Sequence, residues 1–315
     1  FRNVKNIESP DWLKKKLLAI GLRPISSLVD ITNYITFDLG RPLHVYDADK
    51  IEGHLSMRLA KKGEKCKTLD EKEYKLSSDM VVISDEKKLH GIGGVIGGFD
   101  SGCSIETKNV FLEVALFDPI SVTKTGRKLN LQSDARFRFE RGIDSTSIDW
   151  GVDKATEMIL DLCGGEASKI TIAGNYEMSG EIIKYNYDRV NSLGGIDIDK
   201  KSQEEILNRL GFNFSNTLGN QCNIEIPSYR PDIEGEADIV EEILRIYGYD
   251  KIEPLSVIKD SKVKKEILNS SLKAFYKSKR IIASRGYFET VTWSFVSYEQ
   301  TRIENKKDSV KIKNP

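Results

Sequence analysis

The chain has 315 residues, 39% hydrophobic and 30% charged, and its 48 Lys and Arg balance 48 Asp and Glu to a formal net charge of zero. That length accommodates two or three domains with separate cores, and no apolar run approaches the roughly 20 residues that cross a bilayer, so no membrane span is expected. Zero net charge argues against a protein that grips nucleic acid over its whole surface, while leaving room for a local basic groove.

Residues 1–20 read as an amphipathic, lysine-bearing segment, not a signal peptide. The four cysteines, Cys66, Cys103, Cys163 and Cys222, form no CxxC pair. Reduced thiols of a cytoplasmic protein are the expectation, and a zinc site is not. The chain starts at Phe1 and stops at Pro315 just after a strand-like run, which reads as a piece of a longer protein.

In chain order, SPDWLKKKLLAIG (9–21) predicts a helix with Ser9 as cap, Pro10 at the first helical position and Gly21 as stop. Strand-like runs follow at SSLVDITNYI, LSMRLA, VVIS and NVFLEVALF. GIGGVIGG (91–98) lies among them, and GVDKATEMILDLC (151–163) returns to helical spacing before Gly164-Gly165. Residues 1–175 thus mix strands and helices without regular alternation, an α+β pattern. A second unit, 180–253, reads strand (IIKYNY), helix (KSQEEILNRLG), strand (FNFS), turn, strand (CNIEIPS) and helix (ADIVEEILRIYGY), comparable in size to a winged-helix domain. Pro254 and the stretch Ile258 to Lys265 read as a linker. A helix over about 266–285 and a strand YFETVTWSFVS then open a third unit, 254–315.

Five constellations carry candidate chemistry. Glu113 stands inside the apolar run VFLEVALF, on the face of Phe111 and Ala115 if the run is a strand. A buried carboxylate there must pair, be neutral, or face a ligand cavity. The glycines at 91, 93, 94, 97 and 98 allow close backbone approach to a ligand or tight packing, but they match no phosphate loop. In LQSDARFRFERGID (131–144), read as a strand, alternation puts Phe137 and Phe139 on one face and Arg136 and Arg138 on the other. That suits the edge of a nucleic-acid groove, or equally an amphipathic strand with salt-bridged arginines. The segment from Arg23 to His44 carries Asp30, Thr32, Asn33 and a lone histidine, which is commonly structural. Finally, Asp238, Glu241 and Glu242 fall at i, i+3 and i+4 on one predicted helix face, with Asp232 in the loop before it. Four such carboxylates read either as a solvated acidic face or as oxygen ligands for Mg²⁺.

Together, SLVDITNYITFDLGRPLHVYDADKI, GGVIGG, VFLEVALFDP, SDARFRFERGID and LDLCGGEA resemble the editing domain of the bacterial phenylalanine–tRNA ligase beta subunits. PSYRPDIEGEADIVEEILRIYGYDKI resembles the small domain that follows it there, and RGYFETVTWSFVS the opening of the catalytic-like domain. The resemblance implies an α2β2 enzyme with an alpha subunit as partner, which charges tRNA-Phe using ATP and Mg²⁺. It implies that 1–175 hydrolyses Tyr-tRNA-Phe. It implies that Glu113 accepts the tyrosine hydroxyl beside the Gly94 backbone, that Arg23, Asn33 and His44 handle the ester end and terminal adenosine, and that Ser133 and Ala135 shape the pocket floor. Ser133 stands where threonine is common. Asp232, Asp238, Glu241 and Glu242 would be the Mg²⁺ residues. Two other readings stay open: a tRNA-positioning and subunit-assembly module without activity, and a duplex-DNA binder at 180–253, against which the acidic helix face works.

Overall fold

The computed structural model describes residues 1–174, 180–256, 268–297 and 312. Its first helix, α1 (Asp11–Ala19), buries Leu13 and Leu17, and the chain leaves it through Gly21 at φ +82°. Pro10, not Ser9, holds the N-cap position. The Ser9 hydroxyl instead donates to buried Asp30 at 2.6 Å, whose other oxygen accepts the Ile25 amide at 2.8 Å. Asp30 sits in the first turn of α2 (Ser27–Asp38), a helix where a strand was expected. Leu28, Ile31 and Ile35 are fully buried at helical spacing; that period outweighs the β-branched content that suggested a strand.

Eight strands follow: β1 (His44–Asp47), β2 (Ser56–Leu59), β3 (Lys65–Lys67), β4 (Glu73–Lys75), β5 (Val81–Ser84), β6 (Leu89–Ile92), β7 (Ile96–Gly97) and β8 (Val110–Glu113). β2, β5, β6 and β7 make an antiparallel sheet in that order, β3 pairs with β4, and β8 returns to pair with β1. The glycine-dense segment is the β6–β7 turn, where Gly94 adopts φ +69°. Its glycines buy close packing: a Cβ on Gly93 would stand 2.8 Å from the Phe117 ring, and one on Gly98 2.7 Å from the His90 backbone.

Helix α3 (Pro119–Leu129) is capped by the Asp118 carboxylate, which accepts the Ser121 amide at 2.6 Å. The arginine–phenylalanine segment is also a helix, α4 (Asp134–Phe139), started by Ser133, whose hydroxyl accepts the Arg136 amide at 3.0 Å. The expected strand alternation therefore fails: Phe139 is buried while Phe137 is exposed, and Arg136 is buried. The cap and Asp134 in the first turn stabilise the helix locally. The Arg136 guanidinium donates to the Leu131 carbonyl at 2.6 Å and to Glu140 at 2.9 Å, passing where any side chain on Gly126 would collide with it. Helix α5 (Ser147–Cys163) packs on α2 and stops at Gly164. One core joins α1, α2, β1 and α5; another lies between the four-stranded sheet and α3–α4.

A third core holds β9 (Ile182–Asn186), α6 (Arg189–Gly194), α7 (Lys200–Arg209), β10 (Asn213–Leu218), β11 (Gln221–Glu225) and α8 (Glu236–Tyr247). Its antiparallel sheet runs β10-β11-β9. The strand and helix order expected for 180–253 is present, with the short α6 added. The architecture is mixed α+β throughout. Phe1–Glu253 forms one compact unit and a second begins at Pro254. In the second, α9 (Ser270–Ser284) is capped by Asn269 and followed by Gly286 at φ +87°. Residues 287–297 carry no strand. Trp293 and Val291 are almost wholly exposed, and a strand needs a neighbour to satisfy its backbone, which the described residues do not provide here. The expected linker, Ile258 to Lys265, lies outside the described residues.

The three cysteines Cys66, Cys163 and Cys222 are buried, Cys103 is half-buried, and all four are free. Among the described residues no helix is long and apolar enough to cross a membrane.

Gln203 of α7 ties the third core together. Its amide donates to the Ile198 and Tyr187 carbonyls at 2.7 and 3.2 Å and accepts the Tyr185 hydroxyl at 2.7 Å, all buried. Gln203→Leu should lower stability by about 2–4 kcal/mol by orphaning three buried polar groups. Denaturant unfolding of the variant checks this; a loss below about 0.5 kcal/mol would contradict it.

Candidate functional site

The β1–β8 register sets His44 directly opposite Glu113. Side chains two apart in a strand share a face, so Tyr46 joins them, and its hydroxyl donates a short hydrogen bond to the Glu113 carboxylate. The His44 and Tyr46 rings meet edge to face at 4.4 Å. On the other side of His44 comes Gly97, where a Cβ would stand 2.3 Å from the imidazole. Bare glycine is what lets the ring lie there.

These residues line a cavity of about 70 Å³ together with Pro42, Gly94, Ala115, Phe117, Ala135 and Phe139. The walls are largely apolar, with Phe117 and Phe139 edge to face at 5.0 Å. Burial pushes the Glu113 carboxyl above the usual carboxylate range, and the Tyr46 hydrogen bond and the Arg41 charge work the other way. Burial also raises the Tyr46 phenol well above its ordinary value, with the Glu113 charge adding to it. His44 is held down to about 4 by burial, so its imidazole is neutral at pH 7. Its Nε2 has no protein partner. The cavity therefore offers a carboxyl acceptor at one point and an unpaired neutral imidazole nitrogen at another, within apolar walls.

Arg41 lies behind this face with no exposed surface. One of its nitrogens donates to the Ala115 carbonyl at 2.6 Å, while Nε and Nη1 have no partner. Burial lowers its pKa to about 10, and the charges of Glu113 and Asp144 oppose that.

Of the residues expected here, Glu113, His44, Gly94 and Ala135 come together around the cavity. Ser133 stands at the start of α4, its hydroxyl donating to the carbonyl of cavity residue Val95. Asn33 lies half-buried on α2 and Arg23 exposed between α1 and α2, and neither lines the cavity. Sequence reasoning missed Tyr46 and Arg41. The strand period from His44 could have found Tyr46; nothing local marks Arg41 as buried.

The acidic helix differs from its expectation. Glu242 is buried, 5% exposed, so the carboxylates do not share one solvated face. Arg230 bridges it to Asp232, at 2.7 and 2.6 Å, and Arg245 reaches it at 2.6 Å. Asp238 caps its own helix, accepting the Glu234 and Gly235 amides at 2.9 Å each. Glu241 is exposed. Within this chain guanidinium groups supply positive charge to Asp232 and Glu242, while Glu241 is open to solvent. Among the described residues no group of three or more His, Cys, Asp and Glu is placed to hold a metal.

Comparison with known proteins places residues 1–164 in the B3/4 domain family and residues 183–249 in the tRNA synthetase B5 domain family. Relatives include the proteins named phenylalanine–tRNA ligase beta subunit from Mesorhizobium japonicum and Bartonella henselae, each 44% identical over 315 residues, and from Ruegeria pomeroyi, 45% identical over 318. Each alignment takes in 100% of this chain and 39% of the relative, so the chain spans about two fifths of their length. A solved structure, an N-terminal fragment of the phenylalanyl-tRNA synthetase beta subunit from Pyrococcus horikoshii, aligns at 15% identity over 78% of this chain and 69% of that one, with a TM-score of 0.36.

Two titrations follow. His44, with a folded pKa of about 4 against about 6.5 for a free histidine, should stay neutral from pH 8 to 5. Its stabilising contribution is complete above about pH 6.5 and is lost as pH falls toward 4, because the unfolded chain binds the proton first. Ring NMR checks this; a midpoint near 6.5 would contradict it. Glu242 is held down to about 2 by Arg245 first and Arg230 next, so its contribution is lost as pH falls from about 4.5 toward 2. Glu242→Gln should flatten that part of the acid-unfolding curve, as read by circular dichroism.

Proposed function

Because the chain belongs to the B3/4 domain family, carries a B5 domain and matches phenylalanine–tRNA ligase beta subunits along its whole length, we propose that its cavity hydrolyses tyrosine wrongly esterified to tRNA-Phe. The observation that carries this reading is the half-buried Glu113 carboxyl, facing an otherwise apolar pocket in company with Tyr46. Tyrosine is phenylalanine plus a hydroxyl, and an apolar synthetic pocket rejects an added hydroxyl by only about a hundredfold. A second pocket built around an acceptor sorts the opposite way. The tyrosine phenol donates to Glu113, whereas phenylalanine leaves a buried carboxyl short of a partner.

The rest of the site supplies position. Phe117 and Phe139 hold the ring, and the ester end reaches toward His44. A neutral imidazole with a free Nε2 orients a water by hydrogen bonding; with so low a pKa it is a poor general base, and hydrolysis of an activated ester needs mainly a well-placed water. Arg23 and Asn33 lie outside the cavity wall, so in this reading they contact the RNA side of the ester. In the assembled ligase the alpha subunit carries the charging site with ATP and Mg²⁺, in the cytoplasm. No step of the hydrolysis is assigned to the metal. The domain division of this reading is 1–175 for editing, 180–253 for the small domain and 254–315 for the start of the catalytic-like domain.

Purified protein should release tyrosine from Tyr-tRNA-Phe well above the spontaneous rate and largely spare Phe-tRNA-Phe. Glu113→Ala should cut the tyrosine rate by about 10- to 100-fold, the value of a hydrogen bond to a charged group. Release of both amino acids at equal rates, or a Glu113→Ala variant as fast as the parent, would refute the role given to Glu113.

A further inference from the structure

Three cation–ring pairs follow one another across α1, α2 and α4. The Lys16 ammonium stands 5.0 Å from the Tyr34 ring centroid and donates to its hydroxyl at 3.1 Å. Three residues along α2, Phe37 carries the Arg138 guanidinium at 4.4 Å. Arg141, in the turn continuing α4, lies 3.8 Å over the Phe137 ring. Tyr34 and Phe37 share a helix face at i, i+3, and Phe137 and Arg138 stand on α4 with Arg141 in the turn after it. Arg138 also stands three residues from Ala135, which lines the cavity with Phe139, so the strip flanks the cavity side of α4. Helix α4 therefore carries both part of the cavity wall and part of the cation–ring strip.

The strip is open to solvent where it would have to be. Phe137 is 55% exposed, Lys16 and Arg141 are exposed, and Tyr34 and Phe37 are half-buried. Carboxylates temper the charge, Asp134 lying 3.7 Å from Arg138 and Glu140 3.0 Å from Arg141. Even so, each ring has a cation beside it. A protein-binding patch concentrates apolar side chains at its centre and excludes charge. Single-stranded nucleic acid requires the opposite: ring and guanidinium planes for unpaired bases, with a positive charge at each step for the phosphates.

We propose that Lys16, Tyr34, Phe37, Arg138, Phe137 and Arg141 form the track that holds the single-stranded RNA adjoining the aminoacylated end, beside the cavity that α4 helps to wall. This rests on the editing reading above for the identity of the RNA, and its test separates the two.

The affinity of the full chain is measured for uncharged tRNA-Phe and for a short single-stranded RNA of its 3′-terminal sequence, across a range of salt. The variants are Phe137→Ala/Arg141→Ala and Lys16→Gln/Arg138→Gln, with Phe137→Ala alone as a milder one. Each double variant should weaken both affinities by about tenfold or more, as expected for a lost stacking partner, and should reduce the salt slope. Hydrolysis of a tyrosyl ester of adenosine, which lacks the RNA strand, should be unchanged. Affinities within about twofold of the parent in all variants, or no RNA binding by the parent, would overturn the proposal and leave this face to a protein partner. If the parent hydrolyses neither ester, the editing reading fails while the affinities still decide the track.

Discussion

The antiparallel pairing of β1 with β8 is the constraint on which the site depends. It joins two segments nearly seventy residues apart, and its register puts His44 across from Glu113 with Tyr46 on the same face. A one-residue slip would turn all three side chains to the opposite face. The pairing is itself clamped: α2 and α5 bury their apolar sides against the back of β1, while the β6–β7 turn closes over the front with glycines where side chains would strike His44 and Phe117.

Buried charge is handled in three ways in this chain. Glu242 is paired with two guanidinium groups, and its carboxyl stays ionised far into acid. Arg136 is enclosed by a carbonyl and a carboxylate at hydrogen-bonding distance. Both are satisfied structural arrangements. Around the cavity the balance is incomplete: Arg41 has two unpartnered nitrogens, His44 has one, and the Glu113 carboxyl is shifted upward by burial. Unpaired polar groups in a low-dielectric setting cost several kcal/mol. The free His44 nitrogen and the upward-shifted Glu113 carboxyl, both lining one cavity, are why that cavity is read as the site.

The comparison of sequence with structure turns on competing local signals. Around α2 the β-branched residues favoured a strand, but Leu28, Ile31 and Ile35 each find an apolar partner only in a helix. In α4 the Arg/Phe alternation mimicked a strand, yet the Ser133 cap committed the segment to a helix and divided its two phenylalanines between interior and solvent. The carboxylates of α8 cluster in the sequence, but Arg230, in the preceding loop, could not be seen folding back to pair with Asp232 and Glu242. The two strand expectations failed where helical spacing in α2 and a local cap in α4 supplied the deciding contacts.

What the sequence by itself determined was the α+β class, the order of elements in the third core, the glycine-dense turn and the singling out of Glu113 and His44. These follow from short-range periodicity, turn chemistry and the improbability of a carboxylate inside an apolar run. Only the tertiary structure decided that Tyr46 and Arg41 belong with Glu113, that Arg23 and Asn33 stand outside the cavity, and that Glu242 is matched by arginines. The physical reason is that charge pairing, desolvation and cavity walls are properties of atoms brought together across the fold, and no local run of residues encodes which distant partner will arrive.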